Sequence, residues 1–462
     1  MRFTEHAVIN RRRRYRTNTL TATTEVTLVA LGFALLGHPP YGAGLVALVG
    51  LAAVTPPRPQ RTRRSEWSLP LVICVAIILK SIAWSRFRIH LMGRLPRGPV
   101  IIVANHAHDA DSMILPVTLA MRRGLHHPLI SSGSSRLFEP GFLAERMPPA
   151  LGQWLAGLNL SSILWSIGVR PIEDAPLSHS LKSWAYLIYQ VWGDEPLGDV
   201  FDEQLIPEEA RGRAISYLWS RGGWALSHQR HTLRALKDPY RHWVRDHTRD
   251  LLESQMAVLR EAADRGFAIY TTPEGRLTTD GRMARFRASW TLLVNGYRGS
   301  VVAAATSYDV LRRGRLHLWT MLAPLTRLES AESAVARLRP VTASHLVAHA
   351  WFATSQRTLD RLVAIALDTY HQLPHHAVIA HNLAQNPQGL IRRRVRWLLR
   401  ALSQGAPLRD KRFPHVPDIL TYYANQLTEI LSALDSDVAP SALAQRNPLT
   451  VEGDAQSSLD RA

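Results

Sequence analysis

Short apolar runs, each followed by a polar cluster, mark the middle of the chain. Residues 100–103 (VIIV) end at a group of imidazoles and carboxylates, and residues 267–271 (FAIYT) end at a Pro-Glu-Gly turn. Runs of this length, rich in β-branched and aromatic side chains, predict buried strands. The same pattern predicts further strands at 128–132, 301–306 and 316–319.

Apolar residues at helical spacing predict helices between and after these strands. The predicted helices are 112–122, 178–191, 331–338, 344–371, 376–385, 388–402 and 417–434. We also expect 138–167 and 213–263 to be largely helical, and the acidic stretch 193–212 to be a loop. Because strands and helices alternate through the middle of the chain, the pattern predicts an α/β sheet with functional loops at the strand ends.

The N-terminal region carries uncharged apolar segments between arginine clusters. Residues 26–57 contain no Asp, Glu, Lys or Arg, and turn-forming residues at 38–42 divide them. A helical pair that enters a bilayer and returns has both ends on one side, and arginine-rich flanks place that side in the cytoplasm. We therefore expect a membrane-anchoring hairpin at the cell (inner) membrane, with the globular part on the cytoplasmic face.

A third apolar run, at 69–84, contains Lys80 and has arginines on both sides. Basic residues at both ends are typical of a helix that lies in the membrane interface, with the lysine reaching towards water. A buried helix of an ordinary globular domain explains the same pattern equally well. The sequence leaves both interpretations open.

Charge and cysteine content narrow the classes of partner. The 462 residues include 55 Lys and Arg against 37 Asp and Glu, which gives a net charge of +18. Such an excess favours an anionic partner: lipid headgroups, a phosphorylated substrate or nucleic acid. The single cysteine excludes a disulfide within the chain and four-cysteine zinc sites.

The polar cluster after the first strand has the residues of a general base. His106 and Asp111 are separated by four residues, on a turn that leads into a helix. There a carboxylate can orient one imidazole nitrogen and leave the other free to take a proton from a hydroxyl. The alternative is a capping cluster in which Asn105 or Asp109 caps the helix and the histidine belongs to an ordinary loop.

The cluster after 267–271 has the residues of an anion site. Glu274 and Gly275 form a turn, and arginines follow it at 276, 282, 285 and 287. Backbone amides near a glycine, with guanidinium groups beside them, bind phosphate. The alternative is a plain Asp-Gly loop whose arginines are solvated.

Taken together, the two clusters resemble a known family. Asn-His-x4-Asp at 105–111, followed by Pro-Glu-Gly at 273–275, is similar to the glycerolipid acyltransferase superfamily, whose type member is 1-acyl-glycerol-3-phosphate acyltransferase. Residues 93–111 resemble its first sequence block and 268–287 its third. Residues 167–172 stand at the place of the second block, and 301–306 at that of the fourth.

The resemblance implies a function and a role for each residue. His106 would be the general base, Asp111 its partner, and Glu274 with Gly275 would shape the acceptor site. Arg276 and Arg170 would hold the acceptor phosphate. The donor would be acyl-CoA or acyl-carrier protein, used as a co-substrate, with no metal and no bound cofactor. The other partners would be membrane lipids, with no nucleic acid.

The resemblance also implies the domain organisation, through the long intervals between the blocks. We expect an acyltransferase-type mixed sheet flanked by helices, with helical insertions and a helical C-terminal extension. The expected segments are a basic segment 1–25, membrane-anchoring helices 26–90, an α/β domain 91–325 with insertions at about 125–165 and 176–262, a helical extension 326–435 and a disordered tail 436–462.

The chain departs from the family pattern near the acceptor site. Members usually carry Thr and then Arg after Glu-Gly, whereas Arg276 and Leu277 follow here, so the arginine is displaced by one position. The second block is poor, because Pro171 lies inside it. A hydroxyl residue is common two positions after the catalytic histidine, where this chain has His108.

Two other functions fit parts of the sequence. A metal-dependent hydrolase could use His106, His108 and Asp111 as ligands, with Asp109 or the pair at 126–127 in support. A non-enzymatic protein could lie on anionic lipid through basic segments such as 392–400, which has the pattern of a basic amphipathic helix.

Overall fold

The structure is a computed structural model. It describes residues 69–436, apart from 97, 125–128, 143, 147, 155, 158, 173–178, 288, 326–329 and 403–406. The expected hairpin within 26–57 and nearly all of the expected tail lie outside the described residues. The chain divides into two compact units, and each is described by itself. The first comprises Met1–Phe87, Arg94–Arg276 and Phe286–Val302, and the second comprises Arg88–Gly93, Leu277–Arg285 and Ala303–Ala462.

The elements are numbered in chain order. The strands are β1 (Phe87–Gly93), β2 (Val100–Ala104), β3 (Leu129–Ser134), β4 (Val169–Ile172), β5 (His179–Ser180), β6 (Arg230–His231), β7 (Ala268–Thr271), β8 (Ser300–Asp309) and β9 (Leu316–Pro324). The helices are α1 (Leu69–Arg86), α2 (Asp111–Arg123), α3 (Pro149–Trp154), α4 (Ser161–Ser166), α5 (Leu181–Val191), α6 (Leu197–Val200), α7 (Glu208–Arg211), α8 (Trp224–Ser227), α9 (Tyr240–Asp264), α10 (Ser289–Val294), α11 (Ala331–Leu338), α12 (Ala343–Phe352), α13 (Leu359–His371), α14 (His381–Gln385), α15 (Pro387–Leu402) and α16 (Ile419–Ser436).

A parallel sheet forms the centre of the first unit. Its strands follow the order β2-β7-β3-β4. β2 pairs with β7 so that Val103 lies opposite Thr271, and β3 pairs with both β7 and β4. All residues of β2 and β7 are buried, as expected for strands covered on both faces. Because the strands are parallel, their carboxyl ends lie along one edge of the sheet.

Helices cover this sheet. The long helix α9 packs on β3, β4 and β7, and α2 packs on β3 and α1. Residues of α9 such as Met256 and Leu259 join Ile101, Ile130 and Ile269 in one hydrophobic cluster. Removing this apolar surface from water stabilises the layer of helix and sheet.

The segment between α5 and α9 folds around a separate hydrophobic cluster centred on Trp184, which is fully buried. Its indole Nε1 donates to the backbone oxygen of His231, at 3.1 Å. Our prediction of a largely helical 213–263 is wrong before Tyr240, where short helices, 3-10 turns and β6 alternate. Glycines at 222 and 223 and a proline at 239 account for this, because these residues interrupt helices.

The second unit contains three strands in the order β1-β9-β8. Only residues 310–315 join β8 to β9, which is too short for a parallel crossover, so these two strands form an antiparallel hairpin. β1 ends at Gly93, whose φ of 79° brings its Cα so close to the Leu322 backbone that a Cβ would lie 2.0 Å from the carbonyl oxygen. Glycine is required there.

Helices make up the rest of the second unit. α12 packs against α13, α15 and α16. The predicted single helix at 344–371 is instead two helices, because Thr358 begins α13 by accepting a hydrogen bond from the Arg361 N–H, at 3.4 Å. The predicted helix at 376–385 is shortened to α14. The other C-terminal predictions agree with α11, α15 and α16 within two residues.

The predicted α/β class is confirmed, with parallel and antiparallel strand pairs and flanking helices. The predicted strands correspond to β2, β3, β7, β8 and β9. In the described part of the chain, none of the helices combines the length and apolar character needed to cross a bilayer. The run at 69–84 forms α1, which contacts α2 and exposes Trp84.

Candidate functional site

The turn between β2 and α2 is built around one buried carboxylate. Asp111 is the first residue of α2, and its side chain is fully buried. Its Oδ2 accepts the backbone N–H groups of Ala107 and His108, both at 2.8 Å. A carboxylate at a helix N-terminus also interacts favourably with the helix dipole. Asp111 therefore fixes the backbone that carries His106.

The His106 imidazole lies close to this carboxylate but is not hydrogen-bonded to it. Its Nδ1 is 3.9 Å from Asp111 Oδ2, and among the described residues this buried nitrogen has no hydrogen-bond partner. Burial lowers the pKa of His106 below 6.5, while Asp111 and Asp109 raise it and His108 lowers it. A neutral imidazole is the form that accepts a proton at neutral pH.

Glu274 joins the second loop to the first. It follows the carboxyl end of β7, next to β2 in the sheet, and its side chain is only 3% exposed. The backbone N–H of His106 donates to Glu274 Oε1 at 2.6 Å, across 168 positions of sequence. Because the two strands are adjacent and parallel, the polar clusters that follow them lie at one edge.

The Pro-Glu-Gly turn packs against an arginine at Gly275. Its φ is +64°, and a Cβ there would lie 2.3 Å from the guanidinium carbon of Arg287. Arg287 donates from Nη2 to the Gly275 oxygen at 3.3 Å and from its backbone N–H to the Pro273 oxygen at 3.2 Å. Of the arginines after Glu274, Arg287 therefore supports the turn directly. Its position in an arginine-rich segment was the only sequence signal for this.

The two arginines assigned to the acceptor phosphate lie in different surroundings. Arg276 is exposed and, within the described residues, has no hydrogen-bond or ion-pair partner. Arg170 is buried on β4, where its Nη1 donates to the oxygens of Trp165 and Val169 at 2.8 and 3.0 Å. Its guanidinium also lies 4.4 Å from the centre of the Trp165 ring.

The sheet register separates Arg170 from the pair His106 and Asp111, here called the dyad. Arg170 lies opposite Ser132 of β3, and the Ser132 hydroxyl donates to Thr271 Oγ1 of β7 at 3.0 Å. Three strand spacings, about 14 Å, therefore lie between Arg170 and the β2 strand that precedes His106. The structure brings together His106, Asp111, Glu274 and Gly275, and it places Arg170 at the far strand.

Tyr270 is a buried neighbour that sequence reasoning missed. It lies within β7 and is 1% exposed, and its hydroxyl has no hydrogen-bond partner among the described residues. Burial raises the pKa of Tyr270 well above its usual value, and the Asp111 carboxylate raises it further. In the sequence, a tyrosine within a strand pattern looks the same whether it belongs to a site or only packs in the core.

Two observations concern the residues named for the two other functions. They contain no group of three or more His, Cys, Asp or Glu side chains able to hold a metal ion. The pair at 126–127 lies outside them. The apolar side of α15, including Ile391, Val395 and Leu398, is buried within the second unit. It is therefore not exposed for insertion into lipid, although arginines such as Arg393 and Arg396 remain exposed.

Comparison with known proteins adds no relative. A scan of the chain against models of protein families and a search of curated proteins both find no match.

Proposed function

We propose that the protein is a membrane-associated acyltransferase. It moves a fatty acyl group from acyl-CoA or acyl-carrier protein to a hydroxyl of a lysophospholipid or glycerol-phosphate-type acceptor. The observation that carries the proposal is the 2.6 Å hydrogen bond from the His106 backbone to Glu274, which joins the loop of the dyad to the Pro-Glu-Gly loop.

In the proposed reaction His106 is the general base. With Nδ1 directed towards Asp111, Nε2 is the nitrogen available to the acceptor hydroxyl. The hydroxyl oxygen attacks the thioester carbonyl as Nε2 takes its proton. The new C–O bond forms, the C–S bond breaks, and the imidazolium returns the proton to the leaving thiolate. Asp111 stabilises the imidazolium by its charge.

The loop after β7 serves the acceptor in this proposal. Glu274 keeps the backbone of His106 in place, and the turn at Gly275 presents Arg276 to solvent. An exposed guanidinium without a protein partner is suited to a phosphate that arrives from outside. The expected hairpin within 26–57 would keep the enzyme at the surface of the cytoplasmic leaflet, where a lysophospholipid acceptor resides and where the acylated product would remain.

The test is thiol release from acyl-CoA by the purified full-length protein, with lysophosphatidate or glycerol 3-phosphate as acceptor. We expect acylated product from the wild type and a loss of at least about 10³-fold in His106→Ala, because no other group would remove the hydroxyl proton. The matched control is His247→Ala, at an exposed histidine of α9, which should keep full activity.

Product analysis by mass spectrometry decides between the proposal and its alternatives. A His106→Ala protein that folds and still transfers acyl groups would remove the general base from the mechanism. Wild-type hydrolysis of substrates that stops on chelation would favour the metal-dependent hydrolase instead.

A further inference from the structure

In the second unit, one face of strands β8 and β9 carries polar side chains that lie next to each other across the hairpin. Thr306 of β8 and Thr320 of β9 hydrogen-bond through their hydroxyls at 3.1 Å, so they share one face of the hairpin. Because side chains alternate between faces, Ser307 of β8 and His317 and Trp319 of β9 lie on the opposite face. We call this the polar face.

His90 of β1 belongs to the same polar face. Its ring stacks on Trp319 with centres 3.9 Å apart and planes within 10°, and it lies 5.1 Å from the His317 ring. Several buried polar atoms in this cluster have no hydrogen-bond partner among the described residues. They are His90 Nε2, Ser307 Oγ, Trp319 Nε1 and both ring nitrogens of His317.

Three of the residues that carry these atoms are almost completely buried. His317 is 8% exposed, Trp319 3% and Ser307 1%. Leaving a buried donor or acceptor unpaired costs about 1–3 kcal/mol, and in folded proteins such groups are almost always paired with protein, water or a ligand. A concentration of five such atoms on three neighbouring strands indicates that a polar molecule completes the cluster.

The charges around the polar face are positive. Asp309 is paired with Arg394, whose Nη2 lies 2.6 Å from Oδ2, and it accepts a hydrogen bond from the Ser344 hydroxyl. Arg88 and Arg312, in contrast, form no ion pair with any described residue. Arg312 donates from Nε only to the Arg313 oxygen, at 3.3 Å.

Burial and the nearby arginines lower the pKa of both histidines. Burial and then Arg312 lower the pKa of His317 to about 4, and burial and then Arg88 lower the pKa of His90. Both rings are therefore neutral at pH 7, and each can donate one hydrogen bond. Neutral donors and unpaired guanidinium groups together are complementary to an oxyanion rather than to a cation.

We propose that the polar face binds a small oxyanion of the phosphate class. Arg88 and Arg312 attract it by charge, and Trp319, His317 and Ser307 donate hydrogen bonds to its oxygens. Access runs along β1, where Arg88 is exposed and His90 half-buried. A metal ion is a poorer fit, because the described residues contain no group of three ligands and Arg394 already occupies Asp309.

The test is isothermal titration of the full-length protein with inorganic phosphate and, separately, with glycerol phosphate, at constant ionic strength. We expect saturable binding of at least one of them. The ligand with the lower Kd shows whether the polar face prefers free phosphate or a phosphomonoester group. Arg312→Gln should weaken binding about tenfold, since it removes a charge-assisted contact. Trp319→Phe keeps the ring but removes the N–H donor, and should weaken binding about threefold to tenfold.

Arg393→Gln is the matched control, at an exposed arginine of α15. It should leave phosphate binding unchanged. Equal weakening by Arg312→Gln and Arg393→Gln would show a non-specific charge effect and overturn the proposal.

Histidine NMR of the wild type gives a readout that does not depend on how strongly a variant binds phosphate. A bound anion should raise the pKa of the His317 imidazole, in a signal that is identified by its absence in His317→Phe. No saturable heat with either ligand, together with an unmoved His317 signal, would also overturn the proposal.

Discussion

His106 in the first unit and His345 in the second are two largely buried imidazoles with different hydrogen bonding. Burial lowers the pKa of both, that of His345 to about 3. The His345 ring accepts the Thr342 backbone N–H at Nδ1, 3.0 Å away, so that Nε2 carries the proton and donates to Gln426 Oε1 at 2.9 Å. Both of its nitrogens are satisfied.

His106 has the opposite arrangement. Its Nδ1 has no hydrogen-bond partner among the described residues, its carboxylate neighbour lies at 3.9 Å, and its side chain keeps 15% exposure. His345 thus stabilises a helix start, as half of a capping box with Thr342. In the proposed mechanism Nδ1 of His106 faces Asp111, and Nε2 takes the proton of the acceptor hydroxyl. In the proposed mechanism, hydrogen bonding distinguishes these two histidines, whereas the direction of the pKa shift is the same for both.

Asp111→Asn tests the chemical side of this comparison and should have the larger effect. The asparagine Oδ1 can still accept the backbone N–H groups of Ala107 and His108, so the turn should persist. The imidazolium loses its counter-charge, and we expect the rate of acyl transfer to fall about 10²- to 10³-fold. The measurement is kcat with saturating donor and acceptor.

The pH profile of the same variant separates a catalytic effect from a structural one. The wild-type rate should fall on the acid side as His106 becomes protonated, with a midpoint below 6.5. Because Asp111 raises the pKa of His106, its neutralisation should move that midpoint to lower pH. An unchanged rate and midpoint would remove Asp111 from the dyad.

His345→Ala tests the structural side. It leaves Gln426 and the Thr342 N–H without their partner, so we expect a loss of about 2–3 kcal/mol in the free energy of unfolding at pH 7. The rate of acyl transfer per folded molecule should stay unchanged. The measurement is urea unfolding followed by circular dichroism.

The pH dependence of that loss carries a definite sign. The pKa of His345 is about 3 in the folded protein and 6.5 when unfolded, so its stabilising contribution is complete above pH 6.5 and is lost as the pH falls towards 3. The difference between wild type and His345→Ala should therefore shrink over this range. A constant difference would mean that packing alone, and not the neutral ring, carries the effect.

Of the nine strands in the described residues, the sequence predicted β2, β3, β7, β8 and β9, whose signal is local, and missed β1, β4, β5 and β6. Each of β2 and β7 is a short apolar run that a polar cluster ends, and both faces are buried. The same reasoning failed between residues 213 and 239 and across 353–358, where single glycines, prolines and caps decide between helix and turn. Whether these segments form helices or turns depends on packing around Trp184 and on the Thr358 cap. The spacing of apolar residues contains no information on either.

For the candidate site, the sequence singled out residues but could not predict their contacts. The hydrogen bond from His106 to Glu274 spans 168 positions and depends on the pairing of β2 with β7, which no local pattern encodes. Arg170 shows the same limit from the other side. A basic residue near the expected second block was a reasonable phosphate ligand, yet its guanidinium is held by the Trp165 and Val169 oxygens.

Arg276→Ala should have the smallest effect and sharpens the assignment of the acceptor site. Arg276 is exposed and without a partner in the described part of the chain, so its removal should leave folding and kcat nearly unchanged. We expect KM for a phosphate-bearing acceptor to rise about tenfold, which is the loss of one charge-assisted contact. KM for the acyl donor should not move, and steady-state kinetics with each substrate varied in turn measures both.

Arg287→Ala provides the contrast within the same loop. Because Arg287 supports the Gly275 turn through its guanidinium, its loss should lower kcat as well as raise the acceptor KM. If Arg276→Ala changed the donor KM instead, the exposed guanidinium would serve the thioester substrate, and the acceptor phosphate would have to be held by another basic group. Arg170→Ala would then test the other arginine. Because the Arg170 guanidinium donates to backbone oxygens at β4, we expect its removal to lower the free energy of unfolding and to leave both KM values unchanged.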